Sequence, residues 1–222
     1  MYFIVSYSYL IIPLCFLLLK GKLKDKVPTV LALYGILFCC WLIYYKTSPK
    51  DIRKYLQVFY TFLEYSFFTY IFWLLIRNKA IKIFILFASF LFIAFQIFFV
   101  TSTTFKRLDS IPIGIETILL FVYIFYFFYE FTKQTKDVFI YNHFSFWIAV
   151  GIMIYLGGSF FFYILINSLN QDEVDKFGNM TYVAEIIKNL LFAFAIFVYK
   201  KFPSNQTHKL PKNIPNLDMK MI

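Results

Sequence analysis

The chain contains 222 residues, of which 61% are hydrophobic, 24% aromatic and 15% charged, and its formal net charge is +10. A soluble globular domain is about half apolar and a quarter charged. The composition therefore excludes a disordered chain, a collagen and a disulfide-framework protein, and it leaves too few polar residues to cover a soluble fold. It indicates an integral membrane protein.

Seven apolar stretches are each long enough to cross a hydrocarbon core, which takes about 20 helical residues. They run from 2–19, 27–45, 55–76, 83–100, 113–131, 144–166 and 181–199. These stretches are about twice as long as the strands of a membrane barrel. We predict an all-α, polytopic integral membrane protein with seven transmembrane helices in residues 1–199.

The composition changes after residue 199, where prolines, asparagines and lysines replace the apolar residues. Residues 200–222 cannot bury a core, so we predict a basic, disordered cytoplasmic tail. This tail contains no kinase, receiver or DNA-binding domain, and we therefore expect any signal to pass through a separate protein partner.

The basic residues predict the orientation of the chain. Fourteen of the 22 lysines and arginines lie on one side of the predicted spans, seven lie on the other, and Lys188 lies inside a span. The positive-inside rule then places the N-terminus outside and the C-terminus in the cytoplasm, although the loop 46–54 on the outer side is also basic. Because the bases are scattered through short loops, we expect contact with the anionic inner leaflet of the lipid bilayer and no nucleic-acid binding.

Motifs of enzymes and metal proteins are missing from the sequence. The three cysteines and two histidines have no metal-ligand spacing, and there is no HExxH, GxSxG, P-loop or dinucleotide fingerprint. We therefore predict no metal, no cofactor and no enzymatic activity. Lys188, a lysine in a seventh helix, invites comparison with retinal-binding proteins, but its expected shallow depth and the lack of a rhodopsin pattern argue against retinal.

Ionisable and polar residues inside spans are costly in lipid, so they are candidate site residues. They are Tyr60, Glu64, Glu116, Tyr155, Ser159, Glu185, Lys188 and Asn189. Tyr60 and Glu64 share one helical face because they are four residues apart. Gly157 and Gly158 would let a neighbouring helix approach the sixth span closely.

The expected depths of these residues bring them into one half of the membrane. At 1.5 Å per residue, Glu64 lies roughly 13 Å, Glu185 and Lys188 roughly 6 to 10 Å, and Glu116 roughly 5 Å from the outer helix ends. We predict a polar cavity open to the outside and walled by spans three, five, six and seven. If its carboxylates share Lys188, at least one should stay protonated.

A simpler interpretation stays open beside this one. Glu116 and Glu185 are shallow enough to be interfacial side chains that reach water. Glu185 and Lys188 are three residues apart, so they could form an ion pair within one helix.

Four segments carry a resemblance to known proteins: FYTFLEY (59–65), SIPIGIE (110–116), FWIAVG (146–151) and YLGGSFF (155–161). On these segments the chain resembles small, uncharacterised multi-pass membrane proteins of Bacteroidetes-type bacteria. It is also similar to the membrane-embedded sensory portions of some of their histidine kinases. The resemblance implies a multi-pass helical fold in the bacterial cytoplasmic membrane and brings no active-site residues with it.

From these observations we predict a receptor-like or sensory seven-helix module that uses the polar cavity and acts through a partner. Two alternatives stay open. One is a proton-coupled small-molecule transporter with Glu64 as the proton carrier. The other is a membrane assembly or scaffold protein whose charges hold helices together.

Overall fold

A computed structural model describes residues 2–19, 26–102, 110–134, 140–166 and 168–202. These residues form seven α-helices, with one turn of 3-10 helix at Ile140–Asn142 and no strand in the described ranges. The helices are α1 (Tyr2–Leu19), α2 (Lys26–Thr47), α3 (Lys50–Leu75), α4 (Lys79–Ser102), α5 (Ser110–Gln134), α6 (Phe144–Leu165) and α7 (Gln171–Lys201). The prediction of an all-α fold is confirmed.

Six of these helices, α2 to α7, are long and apolar enough to cross a membrane, while α1 is apolar but shorter. Large hydrophobic side chains also cover much of the outer surface, and on α4 they include Phe84, Phe87 and Phe90. A soluble protein rarely exposes so continuous an apolar surface. The length of the apolar helices and the hydrophobic outer surface are both typical of a multi-pass membrane protein.

Several predictions concern residues outside the described ranges. Most of the predicted tail, 203–222, lies there, whereas Lys200 and Lys201 belong to α7 rather than to the tail. The loops 20–25, 103–109 and 135–139, which hold part of the basic asymmetry, also lie outside the description.

Consecutive helices run in opposite directions through the bundle. The first residues of α1, α3, α5 and α7 therefore lie at one face, which we call the N-terminal face. At this face the ammonium of Lys46, near the end of α2, lies 3.6 Å from the ring centroid of Phe3 in α1. At the opposite face the Glu130 carboxylate, near the end of α5, accepts backbone hydrogen bonds of 2.9 Å from Arg77 and Asn78. Asn78 in turn caps α4 by accepting from the backbone of Ala80.

Among the described helices, α6 and α7 share the most extensive contact, and Gly158 lets them approach closely at one point. A Cβ atom on Gly158 would lie 2.8 Å from the Cβ of Ala184, so a larger residue would push α7 away. A Cβ atom on Gly157 would meet nothing within 4 Å. The expectation of a glycine contact therefore holds at Gly158 and is wrong at Gly157, which points away from the interface.

The start of α7 corrects the predicted span, because α7 begins at Gln171, ten residues before the apolar stretch. The Asn170 side chain accepts a 2.9 Å hydrogen bond from the Glu173 backbone, and the Glu173 carboxylate accepts a 3.0 Å bond from the Asn170 backbone. This reciprocal pair is a capping box, which fixes a helix start even where the following residues are polar. Lys188 consequently lies about 26 Å along α7 from its first residue, near the middle of the helix.

Candidate functional site

A cavity of about 480 Å³ lies between the N-terminal face and the middle of the bundle. Its walls come from α3, α5, α6 and α7, as the sequence predicted, and also from α2, which the prediction omitted. The polar and aromatic side chains that line it are Trp41, Tyr45, Gln57, Tyr60, Thr61, Glu64, Glu116, Tyr155, Phe162, Tyr163, Asn179, Thr181, Tyr182 and Glu185.

Glu64 lies at the inner end of this cavity and is only 6% exposed. Its Oε2 atom accepts a 2.9 Å hydrogen bond from the hydroxyl of Tyr155, and Oε1 accepts a 3.2 Å bond from the hydroxyl of Tyr60. The Lys188 ammonium lies 3.6 Å from the same Oε1 atom. The carboxylate is therefore held by the ammonium of Lys188 from α7 and by two phenols, one from α6 and one from its own helix, α3.

Lys188 is fully buried. Its ammonium donates to the hydroxyls of Tyr34, at 2.7 Å, and Tyr9, at 3.4 Å. It also lies 3.9 Å from the ring centroid of Tyr155 and 5.5 Å from that of Phe68. Aromatic faces attract cations, so these rings and hydroxyls replace the water that the ammonium loses on burial.

Glu185 is 7% exposed and lies one turn before Lys188 on α7. It accepts hydrogen bonds from the hydroxyl of Tyr9 and, at 3.4 Å, from the hydroxyl of Tyr60. Tyr60 is thus within reach of both carboxylates. A single phenol proton can serve one of them at a time, so the hydrogen bonds of Glu64 and Glu185 depend on each other.

These contacts connect side chains from five helices, which we call the Lys188 cluster: Tyr9, Tyr34, Tyr60, Glu64, Tyr155, Glu185 and Lys188. Buried charges are tolerated when they are paired and hydrogen-bonded, and a network of this kind strengthens each bond in it. The cluster fixes the positions of α1, α2, α3, α6 and α7 relative to one another. It also forms the inner end of the cavity, through Tyr60, Glu64, Tyr155 and Glu185.

The simpler interpretation of Lys188, an ion pair within α7, does not describe this geometry, because the ammonium pairs with Glu64 of α3. Lys188 lies near the middle of α7, and its shallow depth in the membrane, which argued against a retinal-binding lysine, stays a prediction. The structure instead encloses the ammonium among Tyr9, Tyr34 and Tyr155, and Lys188 is not among the residues that line the cavity.

The remaining candidates are placed differently. Glu116 is buried and lines the cavity from α5. The Ser159 hydroxyl donates a 2.7 Å hydrogen bond to the Tyr155 carbonyl within α6, and the Asn189 amide donates a 2.8 Å bond to the Ser8 hydroxyl of α1. Ser159 and Asn189 are thus absent from the described cavity wall, and Asn189 joins two helices.

Two members of the cluster, Tyr9 and Tyr34, were not predicted from the sequence. Both are fully buried, and both hydroxyls receive a hydrogen bond from Lys188. The available signal was a phenol in the middle of an apolar helix, because a buried tyrosine hydroxyl usually finds a partner. With 18 tyrosines in the chain, that signal does not select these two.

The site contains exchangeable protons, two carboxylates that face a cavity and one buried ammonium. Such a site can bind a hydrogen-bond donor or a cation, and it can move a proton between neighbouring groups. Within the described residues, no three histidine, cysteine, aspartate or glutamate side chains are grouped so as to hold a metal ion.

No protein-family model, curated protein or solved structure matches the chain. The resemblance to Bacteroidetes-type membrane proteins and to kinase sensory portions therefore stays a prediction.

Proposed function

We propose that the chain is a receptor-like or sensory seven-helix module of a bacterial cytoplasmic membrane, with its N-terminus outside. It binds a small molecule in the cavity and acts through a separate protein partner. The observation that supports this proposal best is the direct contact between the cavity and a cluster that holds five helices together.

The coupling between cavity and fold follows from the hydrogen bonds of the carboxylates. A molecule that binds Glu64 or Glu185 competes with the hydroxyls of Tyr60, Tyr155 and Tyr9 for the same oxygens. Replacing those hydrogen bonds changes what holds α1 and α3 against α7, and α6 against α3. A ligand can shift a helix arrangement when it binds one arrangement more tightly than the other.

Trp41 offers a direct test of binding, because it lines the cavity, whereas Trp73 and Trp147 are not among the lining residues. Tryptophan emission of the purified full-length protein is recorded during titration with a panel of small amines, alcohols and carboxylates. We expect at least one compound to change the emission saturably. The change should disappear in Trp41→Phe and weaken in Glu64→Gln. If every compound acts equally on the protein and on Glu64→Gln, the cavity is not a ligand site.

A second candidate function is a proton-coupled transporter with Glu64 as the proton carrier. It is favoured by a continuous chain of hydrogen-bonded groups, which runs from Tyr34 through Lys188 and Tyr9 to Glu185, and then through Tyr60 to Glu64. In proteoliposomes with an imposed pH gradient, this function predicts a pH-dependent flux that Glu64→Gln abolishes. An impermeable and electrically silent protein would contradict it.

A third candidate is a membrane scaffold, since the Lys188 cluster joins five helices whether or not a ligand binds. This function predicts a stable protein partner that co-purifies equally well with the protein and with Glu185→Gln. Loss of the partner from the variant would instead favour the sensory function.

A further inference from the structure

The charge of the cavity wall has one sign. Among the described residues that line the cavity, three are glutamates and none is lysine, arginine or histidine. The ammonium of Lys188 lies behind the wall, enclosed by tyrosines, and its closest carboxylate oxygen is that of Glu64, at 3.6 Å. Lys188 therefore balances one carboxylate without occupying the cavity.

The cluster itself has one ammonium for two carboxylates, Glu64 and Glu185. Two buried carboxylates beside a single cation repel each other, so a second positive charge nearby would stabilise the pair. A cation in the cavity can supply that charge, because the Glu64 and Glu185 carboxylates are part of the wall.

The rest of the wall suits the apolar part of an organic cation. Seven aromatic side chains line the cavity, among them Trp41, Phe162 and Tyr182. Aromatic faces attract ammonium groups and also bind apolar ligand bodies. A volume of about 480 Å³ is within the range of cavities that enclose drug-sized molecules.

We propose that the cavity selects a small organic cation, an ammonium group carried on an apolar or aromatic body. The ammonium contacts Glu185 and Glu64 at the inner end, and the body packs between Trp41 and Phe162. This inference rests on the proposed function, because it names the chemical class of the ligand in the same cavity.

The test uses three probes that share a phenyl body and differ in charge: 2-phenylethylammonium, 2-phenylethanol and 3-phenylpropionate. Binding of each to the full-length protein in lipid nanodiscs is measured by calorimetry at one salt concentration. A charge-assisted hydrogen bond contributes more than a neutral one, so we expect the ammonium to bind about tenfold or more tightly than the alcohol. The carboxylate should bind most weakly.

Glu185→Gln is the decisive variant, because glutamine keeps an acceptor for the Tyr9 hydroxyl and removes the charge. It should weaken ammonium binding about tenfold and weaken 2-phenylethanol binding much less, because only the ammonium loses an ion pair. Asp172→Asn is the matched control, since Asp172 is an exposed carboxylate in the first turn of the same helix. It should leave all three affinities unchanged.

Equal or tighter binding of the alcohol or the carboxylate overturns the cation inference and leaves a ligand cavity as proposed. Equal weakening by Glu185→Gln and Asp172→Asn also overturns it, because the attraction would then come from the general surface charge. If none of the three probes binds, the cation inference is overturned, and the Trp41 titration decides the proposed function separately.

Discussion

The Lys188 ammonium and the Glu64 carboxylate form an ion pair of 3.6 Å between α7 and α3, and neither side chain is more than 7% exposed. Burial of this pair is costly, because both ions lose their water. The hydroxyls of Tyr34 and Tyr155 offset this cost by hydrogen-bonding one ion each. This ion pair thus connects the cavity wall, through Glu64, with the packing of α3 against α7.

Lys188→Met should destabilise the fold, because it leaves Glu64 and Glu185 buried without their cation. Removing one partner of a buried ion pair costs about 3–5 kcal/mol of unfolding free energy. Unfolding is followed by circular dichroism in mixed detergent and dodecyl sulfate micelles. The exposed Lys176→Met, on the same helix, is the control and should change little. Addition of Glu64→Gln to Lys188→Met should recover part of the loss; no recovery would contradict the pairing.

Tyr34→Phe should weaken the cluster with almost no change in side-chain volume. It removes the hydroxyl that accepts the 2.7 Å hydrogen bond from Lys188, and a bond to a charged group contributes about 1.5–3 kcal/mol. Tyr55→Phe, at an exposed position of α3, is the control and should leave the unfolding free energy unchanged. In the Lys188→Met background Tyr34→Phe should cost less, and an undiminished cost would show that the hydroxyl acts elsewhere.

Gly158→Ala and Gly157→Ala form a matched pair of neighbouring substitutions. At Gly158 the added methyl would lie 2.8 Å from Ala184, so α6 and α7 must separate, at a cost of about 1–3 kcal/mol. At Gly157 the methyl meets nothing, and alanine should stabilise the helix by about 0.5–1 kcal/mol. Thermal unfolding of both variants in one detergent gives the comparison. Equal effects would mean that Gly158 does not set the distance between the helices.

Asn170→Ala should loosen the first turns of α7, because it removes the capping box with Glu173. The loss should be about 1 kcal/mol, and Asn170→Asp should keep most of the stability because aspartate also caps helices well. Hydrogen exchange of the backbone amides of residues 171–180 measures the effect. Since Val174 and Gly178 line the cavity, affinity for any cavity ligand should fall together with protection. Unchanged exchange in Asn170→Ala would contradict the role of the cap.

The positions of most helices could be predicted from the sequence, because the length of an apolar stretch is a local property of the chain. The predicted stretches correspond to α1 to α6 within a few residues at each end. The first ten residues of α7 were missed, since they are polar and only the capping box marks their start. The Asn170 and Glu173 pattern was present in the sequence and could have located that start.

The candidate site was accessible in part. The spacing of Tyr60 and Glu64 gave one polar face, and both side chains do line the cavity. Polarity and expected depth grouped Ser159 and Asn189 with them, yet Ser159 bonds to a carbonyl within α6 and Asn189 bonds to Ser8. Helical spacing says which residues share a face of one helix, but it does not say which neighbour that face meets.

By itself, the amino-acid sequence determined that this protein is a bundle of apolar helices with a few charges inside, because lipid requires long apolar segments with internally satisfied backbones. Only the tertiary structure decided that Lys188 pairs with Glu64 and that the hydroxyls of Tyr9 and Tyr34 accept hydrogen bonds from the Lys188 ammonium. The rotation of each helix about its axis and the order of its neighbours result from packing over the whole bundle. No local pattern in the chain specifies them.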